Sequence, residues 1–141
     1  MARLMRRNVG FAAAVAGLLA VGGCSLFGSG RAEVLPSQSF RGPPMGLAST
    51  NKVHVVTMKA PHPGWRLEFD RAEEAAGPTR LLMSVRRPDP TLVYTRQIVD
   101  MSAATTVDAD EPAEVYARII EHDARRSGVP YERVLLGAGP E

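Results

Sequence analysis

The sequence predicts a mainly β protein, folded as a small antiparallel β-sandwich or curled sheet. Residues Trp65 to Asp70 alternate strictly between apolar and charged side chains, which is the period of a half-buried strand. Residues 52–59 are rich in β-branched side chains and carry no helix cap, so they predict the preceding strand. The turn-forming residues 61–64 separate the two runs.

Three later runs extend the predicted sheet. Residues 79–86 and 92–99 have the composition of a third and a fourth strand, and a Pro-Asp-Pro turn signal separates them. Two hairpins at this spacing indicate an antiparallel arrangement. Residues 129–136 add a short edge strand, and the tail 138–141 is expected to fray.

The segment 110–127 fits two structures. Its apolar residues at 115, 116, 119 and 120 have helical spacing, with Asp110 as an N-cap and Gly128 as a stop. The same residues are good β formers and roughly alternate. We favour a strand over 113–121, because the earlier strands need a partner to close a sandwich. A C-terminal helix laid across an open sheet is the alternative.

The globular domain is expected to span residues 52–137 and to bury a modest core, as domains of this size do. The preceding segment 24–51 is dense in Gly, Ser and Pro and predicts a flexible tether. The alternative is that residues 40–47 pack back on the domain as an edge. The side chains expected in the core are Trp65, Leu67, Phe69, Leu81, Met83, Val85, Tyr94, Ile98, Val115 and Ile119.

Residues 1–23 have the pattern of a signal peptide. Three arginines precede an apolar run from Val9 to Val21, which is shorter than the ~20 residues that span a bilayer. The stretch Val21-Gly22-Gly23-Cys24 resembles the lipobox of bacterial lipoproteins, whose cysteine is acylated and becomes the new N-terminus. The resemblance implies a lipid anchor on Cys24, at the periplasmic face or the outer membrane. An ordinary signal peptide cleaved near Gly23 is the alternative.

Removal of this peptide changes the charge balance. Three of the 17 basic residues lie within it (Arg3, Arg6 and Arg7), so 14 remain against 15 acidic residues. The basic isoelectric point therefore belongs largely to the signal peptide, and the rest of the chain offers no electrostatic case for nucleic-acid binding.

Catalytic signatures are missing from the sequence, which has no Gly-x-Ser-x-Gly or His-Glu-x-x-His motif. We therefore predict no catalytic residue, no cofactor and no metal site. The acidic cluster of Asp108, Asp110, Glu111 and Glu114 lacks the spacing and central glycine of a calcium loop, so a solvated surface is the simpler interpretation.

A copper site is the other metal hypothesis. His54, Met58 and His62 share parity on a strand, and imidazole and thioether ligands suit Cu(I). However, four residues along an extended strand span ~13 Å, which is too far for His54 and Met58 to share an ion. A core methionine and two ordinary histidines explain the pattern better.

Over residues 52–120 the chain resembles the C-terminal domain of the bacterial protease-complex subunit PrcB. The features that carry the resemblance are the Pro63-Gly64-Trp65 turn before alternating strands and the run Thr95-Arg96-Gln97 on a later strand. Trp65 stands where that family tends to have Tyr. The resemblance implies a small β-sandwich used for protein contacts and not for chemistry.

These features predict a membrane-anchored, non-enzymatic envelope lipoprotein that binds an envelope protein or a surface polymer. His62 and Trp65 are the candidate partner-binding residues, because both lie at a turn, although the parity of Trp65 with Leu67 and Phe69 favours the core for its ring. An accessory or inhibitor-like module for an envelope peptidase is the second hypothesis. A copper-handling lipoprotein is the third.

Overall fold

The computed structural model describes residues 30–125 and 128–137, so Cys24 and the predicted signal peptide lie outside the described residues. The compact unit begins at Arg31. No helix in the described ranges has the length and apolar character of a membrane span. The strands are β1 (Val34–Ser39), β2 (Met45–Thr50), β3 (Val53–Ala60), β4 (Arg66–Glu73), β5 (Thr79–Arg86), β6 (Val99–Asp108), β7 (Ala113–Ile120) and β8 (Tyr131–Arg133).

These strands form two sheets that pack face to face, which confirms the predicted mainly β fold. One sheet has five strands in the order β1-β8-β7-β5-β4, and the other has three in the order β2-β3-β6. Most pairings are antiparallel, but β5 pairs with β7 and β1 with β8 in parallel. The segment 113–120 is a strand, so the helix alternative is wrong. Strand β8 lies between β1 and β7 and is therefore not an edge strand.

The core lies between the inner faces of the two sheets. Fully buried side chains of β3 (Val56 and Met58) meet those of β5 and β7, and each such side chain contributes roughly 1.5–3 kcal/mol. Of the residues predicted for the core, four are fully buried and three pack half-buried against its margin. The first set is Leu81, Met83, Val85 and Val115, and the second is Trp65, Leu67 and Phe69.

The predicted flexible tether is wrong from Val34 onward. Strand β2 pairs residue by residue with β3, from Met45 opposite Met58 to Thr50 opposite Val53. Met45 is buried, and Phe40 and Leu47 pack against the same core. The run Gly42-Pro43-Pro44 lies in the connection between β1 and β2. The alternative that residues 40–47 pack on the domain is the closer description.

The predicted fourth strand over 92–99 is also wrong. Residues 87–98 form an irregular loop, and the strand begins only at Val99. Within this loop Ile98 is 71% exposed and Tyr94 is half-buried, so neither belongs to the main core. The N–H of Leu92 donates to the carbonyl of Asp89 at 3.2 Å, which turns the chain back instead of extending it. The run Thr95-Arg96-Gln97 lies in the same loop and not on a strand.

The turn between β2 and β3 holds its two central residues in the left-handed region. Asn51 has a φ of 53° and Lys52 a φ of 66°, as a two-residue type I′ hairpin requires. Asn tolerates this conformation, whereas Lys at the second position is strained by its Cβ.

Replacing Lys52 with glycine is expected to stabilise the protein by about 0.5–1 kcal/mol, because the released strain exceeds the entropy that glycine loses on folding. Urea unfolding of the variant measures this difference. Lys52→Ala is the matched control, since it removes the charge but keeps the Cβ, and it should give no gain. Equal stabilisation by both substitutions would show that the charge of Lys52, and not its backbone, is responsible.

Candidate functional site

Strand direction gathers four connections at one end of the sandwich, which we call the loop end. Strand β3 finishes there and β4 starts there, joined by residues 61–65. The parallel strands β5 and β7 both finish there, so the segments 87–98 and 121–125 lie at the same end. Residues 40–44 reach it as the approach to β2. The turns 51–52, 74–78 and 109–112 lie at the opposite end.

An apolar pocket of about 510 Å³ opens at the loop end, and we call it the Trp65 pocket. Its walls are mostly carbon, and three cations stand at its rim. A cavity of this size and character is typical of ligand and anchor-residue sites. The lining residues are Arg41, Gly42, Pro43, Pro44, Lys59, Ala60, Pro61, Trp65, Arg87, Ile98 and Ile119.

The two predicted partner-binding residues lie together beside this pocket. The rings of His62 and Trp65 have centroids 6.3 Å apart, and His62 stacks on Tyr94 at 4.9 Å. The N–H of Gly64 donates to Nδ1 of His62 at 3.2 Å, which fixes the imidazole in the turn. Tyr94 therefore completes an aromatic cluster that local sequence does not reveal, because the pattern around Tyr94 predicts a core strand.

Trp65 is half-buried and lines the pocket with part of its ring. Its indole N–H is buried and has no hydrogen-bond partner among the described residues. An unpaired buried donor costs roughly 1–3 kcal/mol, so this position is not optimised for stability alone. The Trp65 ring therefore has both predicted positions, since it packs at the margin of the core and also lines a surface pocket.

The loop 87–98 is braced at its base. The Tyr94 hydroxyl accepts a hydrogen bond from the Asp89 N–H at 3.1 Å. The carboxylate of Asp89 accepts from the Thr91 hydroxyl and N–H at 2.7 and 2.9 Å, and these hydrogen bonds lower the pKa of Asp89. Nε2 of His122 lies 3.9 Å from the same carboxylate. These contacts hold the loop in one conformation although it contains no strand.

A second polar cluster lies on the outer face of the five-stranded sheet. The Asp70 carboxylate accepts hydrogen bonds from the hydroxyls of Ser84 and Tyr131 and from the Arg118 guanidinium, the last two at 2.8 and 3.3 Å. Arg118 also donates to Ser84 at 2.9 Å and lies 4.4 Å from the centre of the Tyr131 ring. Because Ser84 is completely buried, no substrate reaches its hydroxyl, and the cluster is structural.

Sequence alternation accounts for only part of this cluster. The pattern of β4 predicts that Asp70 faces solvent with Arg66 and Glu68, yet the Asp70 side chain is 7% exposed. Asp70 lies on the predicted face, as its hydrogen bond with Ser84 shows, but Arg118 and Tyr131 cover that face and exclude solvent. A β-bulge between Phe69 and Arg71 also leaves Asp70 without a ladder partner.

The residues of the two metal hypotheses are not brought together. His54 is buried with its Nε2 2.7 Å from the Glu111 carbonyl oxygen, Met58 lies in the core, and His62 lies beyond the end of β3. In the acidic cluster, Glu114 pairs with Arg133 at 2.7 Å. Within the described ranges, no group of three or more His, Cys, Asp or Glu side chains is placed to hold a metal ion.

Gly64 is required beneath the Tyr94 ring, because a Cβ at this position would lie 2.5 Å from a ring carbon. Gly64→Ala is therefore expected to displace Tyr94 and to cost about 1–3 kcal/mol. Gly77→Ala is the matched control, since nothing lies within 4 Å of the point that its Cβ would occupy. Thermal unfolding should show a lower Tm for the first variant only, and equal Tm values would contradict the packing of Tyr94 on Gly64.

Stability at alkaline pH should depend on Tyr131. Burial and the hydrogen bond to Asp70 raise the pKa of Tyr131 from 10.0 to about 12. Between these values the folded protein keeps a proton that the unfolded chain has lost, so stability is intact below pH 10 and falls as the pH rises through 12. Urea unfolding should show a loss of about 2 kcal/mol over this range that Tyr131→Phe does not show. Parallel curves for the two proteins would contradict this assignment.

No protein-family model matches this chain, and the curated proteins and the solved structures likewise give no match. The resemblances to the lipobox and to the PrcB domain therefore stay predictions from the sequence. The fold and the geometry of the loop end are the findings on which a functional proposal can be built.

Proposed function

We propose that this protein is a non-enzymatic binding module of the cell envelope, anchored to the membrane through Cys24. Its partner is an envelope protein, and the binding surface is the loop end with the Trp65 pocket at its centre. The observation that carries the proposal is the pocket itself, because an open apolar cavity lined by an aromatic ring is the usual seat of an anchor residue.

The position of the pocket supports a binding role. Its walls come largely from connections between strands, where side chains are free to serve recognition because they do not hold the core. Ile98 is 71% exposed at the rim, so a partner that covers it removes apolar surface from water. Of the cations at the rim, Lys59 pairs with Asp100 and Arg87 with Glu121. By contrast, Arg41 forms no ion pair among the described residues and favours a partner with an acidic group beside its apolar anchor.

The non-catalytic part of the proposal has its own support. The cluster with the most functional groups, around Asp70 and Arg118, is closed to solvent and satisfied internally. His54 is buried against a backbone carbonyl, and His62 is held by ring stacking. Neither histidine has a hydroxyl nucleophile as a hydrogen-bond partner in the part of the chain that the structure describes, as an activated serine would require.

An anchor on Cys24 would limit, through chain length, how far the compact unit lies from the membrane. The compact unit begins at Arg31, seven positions after Cys24. A chain of this length spans at most about 25 Å, so an acylated Cys24 would keep the module at the membrane surface. The longer tether over residues 24–51 that the sequence predicts would allow a greater distance between the membrane and the compact unit.

Site-specific photocrosslinking in intact cells tests the proposal. A photoreactive amino acid replaces Lys59, whose side chain is 69% exposed at the pocket rim, in the wild-type chain and in Cys24→Ser. We expect one envelope protein to be captured from the wild-type chain and to be lost or reduced in Cys24→Ser. Mass spectrometry of the adduct identifies it.

The matched control places the same photoreactive residue at Glu74, which is exposed at the opposite end of the sandwich. Capture from position 59 but not from position 74 supports the loop end as the binding surface. Equal capture from both positions, or capture from neither, contradicts it. Metabolic labelling with a fatty acid separately tests the anchor, since Cys24→Ser should abolish incorporation.

An accessory or inhibitor-like module for an envelope peptidase is the second candidate. The braced loop 87–98 favours it, because Val93 is 99% exposed on a loop whose base is fixed by Asp89 and Tyr94. A fixed, protruding loop suits the cleft of a peptidase. A captured partner with peptidase sequence motifs, and a change in its activity on addition of the chain, would favour this candidate over a simple adaptor.

A further inference from the structure

The loop 87–98 exposes more large apolar side chains than any other connection in the described part of the chain. Leu92 is 58% exposed, Val93 99% and Ile98 71%. Elsewhere, the exposed large apolar residues are Leu135 and Leu136, which lie near the described C-terminus. Leu92 and Val93 are adjacent in the chain, and with Ile98 in the same loop we call them the apolar patch; exposed apolar patches mark interaction sites.

The exposure of this patch is built into the fold. The Tyr94 ring sits on Gly64 and stacks on His62, and its hydroxyl holds the Asp89 backbone. The turn from Asp89 to Leu92 then points the next residue, Val93, away from the sandwich. A loop that was free to collapse would cover these side chains, so the bracing maintains their contact with solvent.

The charges around the patch are unbalanced. Four carboxylates lie at the loop end. Asp100 pairs with Lys59 and Glu121 with Arg87, whereas Asp89 contacts Thr91 and His122 and Asp123 lies 3.6 Å from His122. By contrast, Arg41, Arg96 and Arg125 form no ion pair among the described residues, although all three lie in segments at the loop end. Within the described ranges, three arginines but only two of the four carboxylates therefore lack an oppositely charged lysine, arginine or carboxylate partner.

We propose that the loop 87–98, beside the Trp65 pocket, docks on an anionic lipid bilayer, with Leu92 and Val93 inserted into its interface and the three unpaired arginines on the headgroups. Exposed apolar side chains can enter the interfacial region of a bilayer, and arginines near them can contact its anionic headgroups. This inference rests on the proposed function in one respect. The anchor on Cys24 would hold the compact unit near a membrane. The Ala32 N–H donates to the Glu73 carboxylate at 2.9 Å, so the chain enters the compact unit at the end opposite the loop end, and the anchor does not by itself bring the loop end to the bilayer.

Vesicle sedimentation of residues 25–141 tests the inference without the lipid anchor, and this piece retains the whole compact unit from Arg31 onward. The vesicles contain either phosphatidylcholine alone or phosphatidylcholine with phosphatidylglycerol. We expect binding to the anionic vesicles that weakens as salt is raised. The double variant Leu92→Asp/Val93→Asp should lower the bound fraction at least about tenfold. Arg96→Glu should lower it about fivefold.

Leu135→Asp is the matched control, because Leu135 is 70% exposed outside the loop, and it should leave vesicle binding unchanged. The substituted positions are all exposed, so the variants should fold, and circular dichroism verifies this. Absence of vesicle binding, or undiminished binding by Leu92→Asp/Val93→Asp, overturns the inference.

The outcomes separate this inference from the proposed function. Vesicle binding that depends on Leu92 and Val93 supports membrane docking even if no protein is captured in cells through position 59. Capture of a protein through position 59, without any vesicle binding, supports the binding module and overturns membrane docking. A photoreactive group at Val93 that captures the same protein would then assign the loop to that partner.

Discussion

The buried charge of Arg118 is the constraint on which the sheet depends. Its side chain is 9% exposed, and a guanidinium cannot lose its charge, so the fold has to supply a carboxylate at the same depth. Asp70 does so from β4, Ser84 joins from β5, and Tyr131 joins from β8. The ion pair and its hydrogen bonds therefore connect four of the five strands across their outer face.

This connection also explains how the loop end is positioned. The Asp70–Arg118 ion pair holds β4 across the sheet from β7, and β4 begins immediately after Trp65. The inner face of the same strand then sends Leu67 and Phe69 to the core margin. The parallel pairing of β5 with β7 brings the residues after β5 and at the end of β7 to the same end, where they line the pocket. The pairing of β4, β5 and β7 thus positions both the polar cluster on the outer face and the residues that line the apolar pocket.

Strong local patterns in the sequence are sufficient to predict much of this fold. Strand β5 occupies the predicted range 79–86, and the β-branched run of residues 52–59 corresponds to β3. The failures have a common cause, which is that long-range contacts outweigh local composition. Strand β2 forms in a Gly- and Pro-rich region because Met45 and Leu47 find a partner in β3. Conversely, residues 92–98 include good β formers but form no ladder.

The candidate site is predictable only in its centre. The turn before Trp65 draws attention to His62 and Trp65, and the structure places both beside the pocket. Tyr94, Ile98 and Arg41 come from distant segments, and nothing in their local sequence links them to that turn. Strand β6 escapes sequence-based prediction for a related reason, since its small Ala, Ser and Thr residues give a weak pattern although two of its side chains are buried.

The division between the framework and the loop end has a consequence for how this domain can change. The ladder pairs and the Asp70–Arg118 ion pair involve strand residues, whereas most of the pocket comes from three connections, 40–44, 61–65 and 87–98. These connections contain exposed positions that can be substituted at little cost to the fold. The domain is therefore suited to diversification, in nature or by loop grafting, with a new recognition preference installed on an unchanged scaffold.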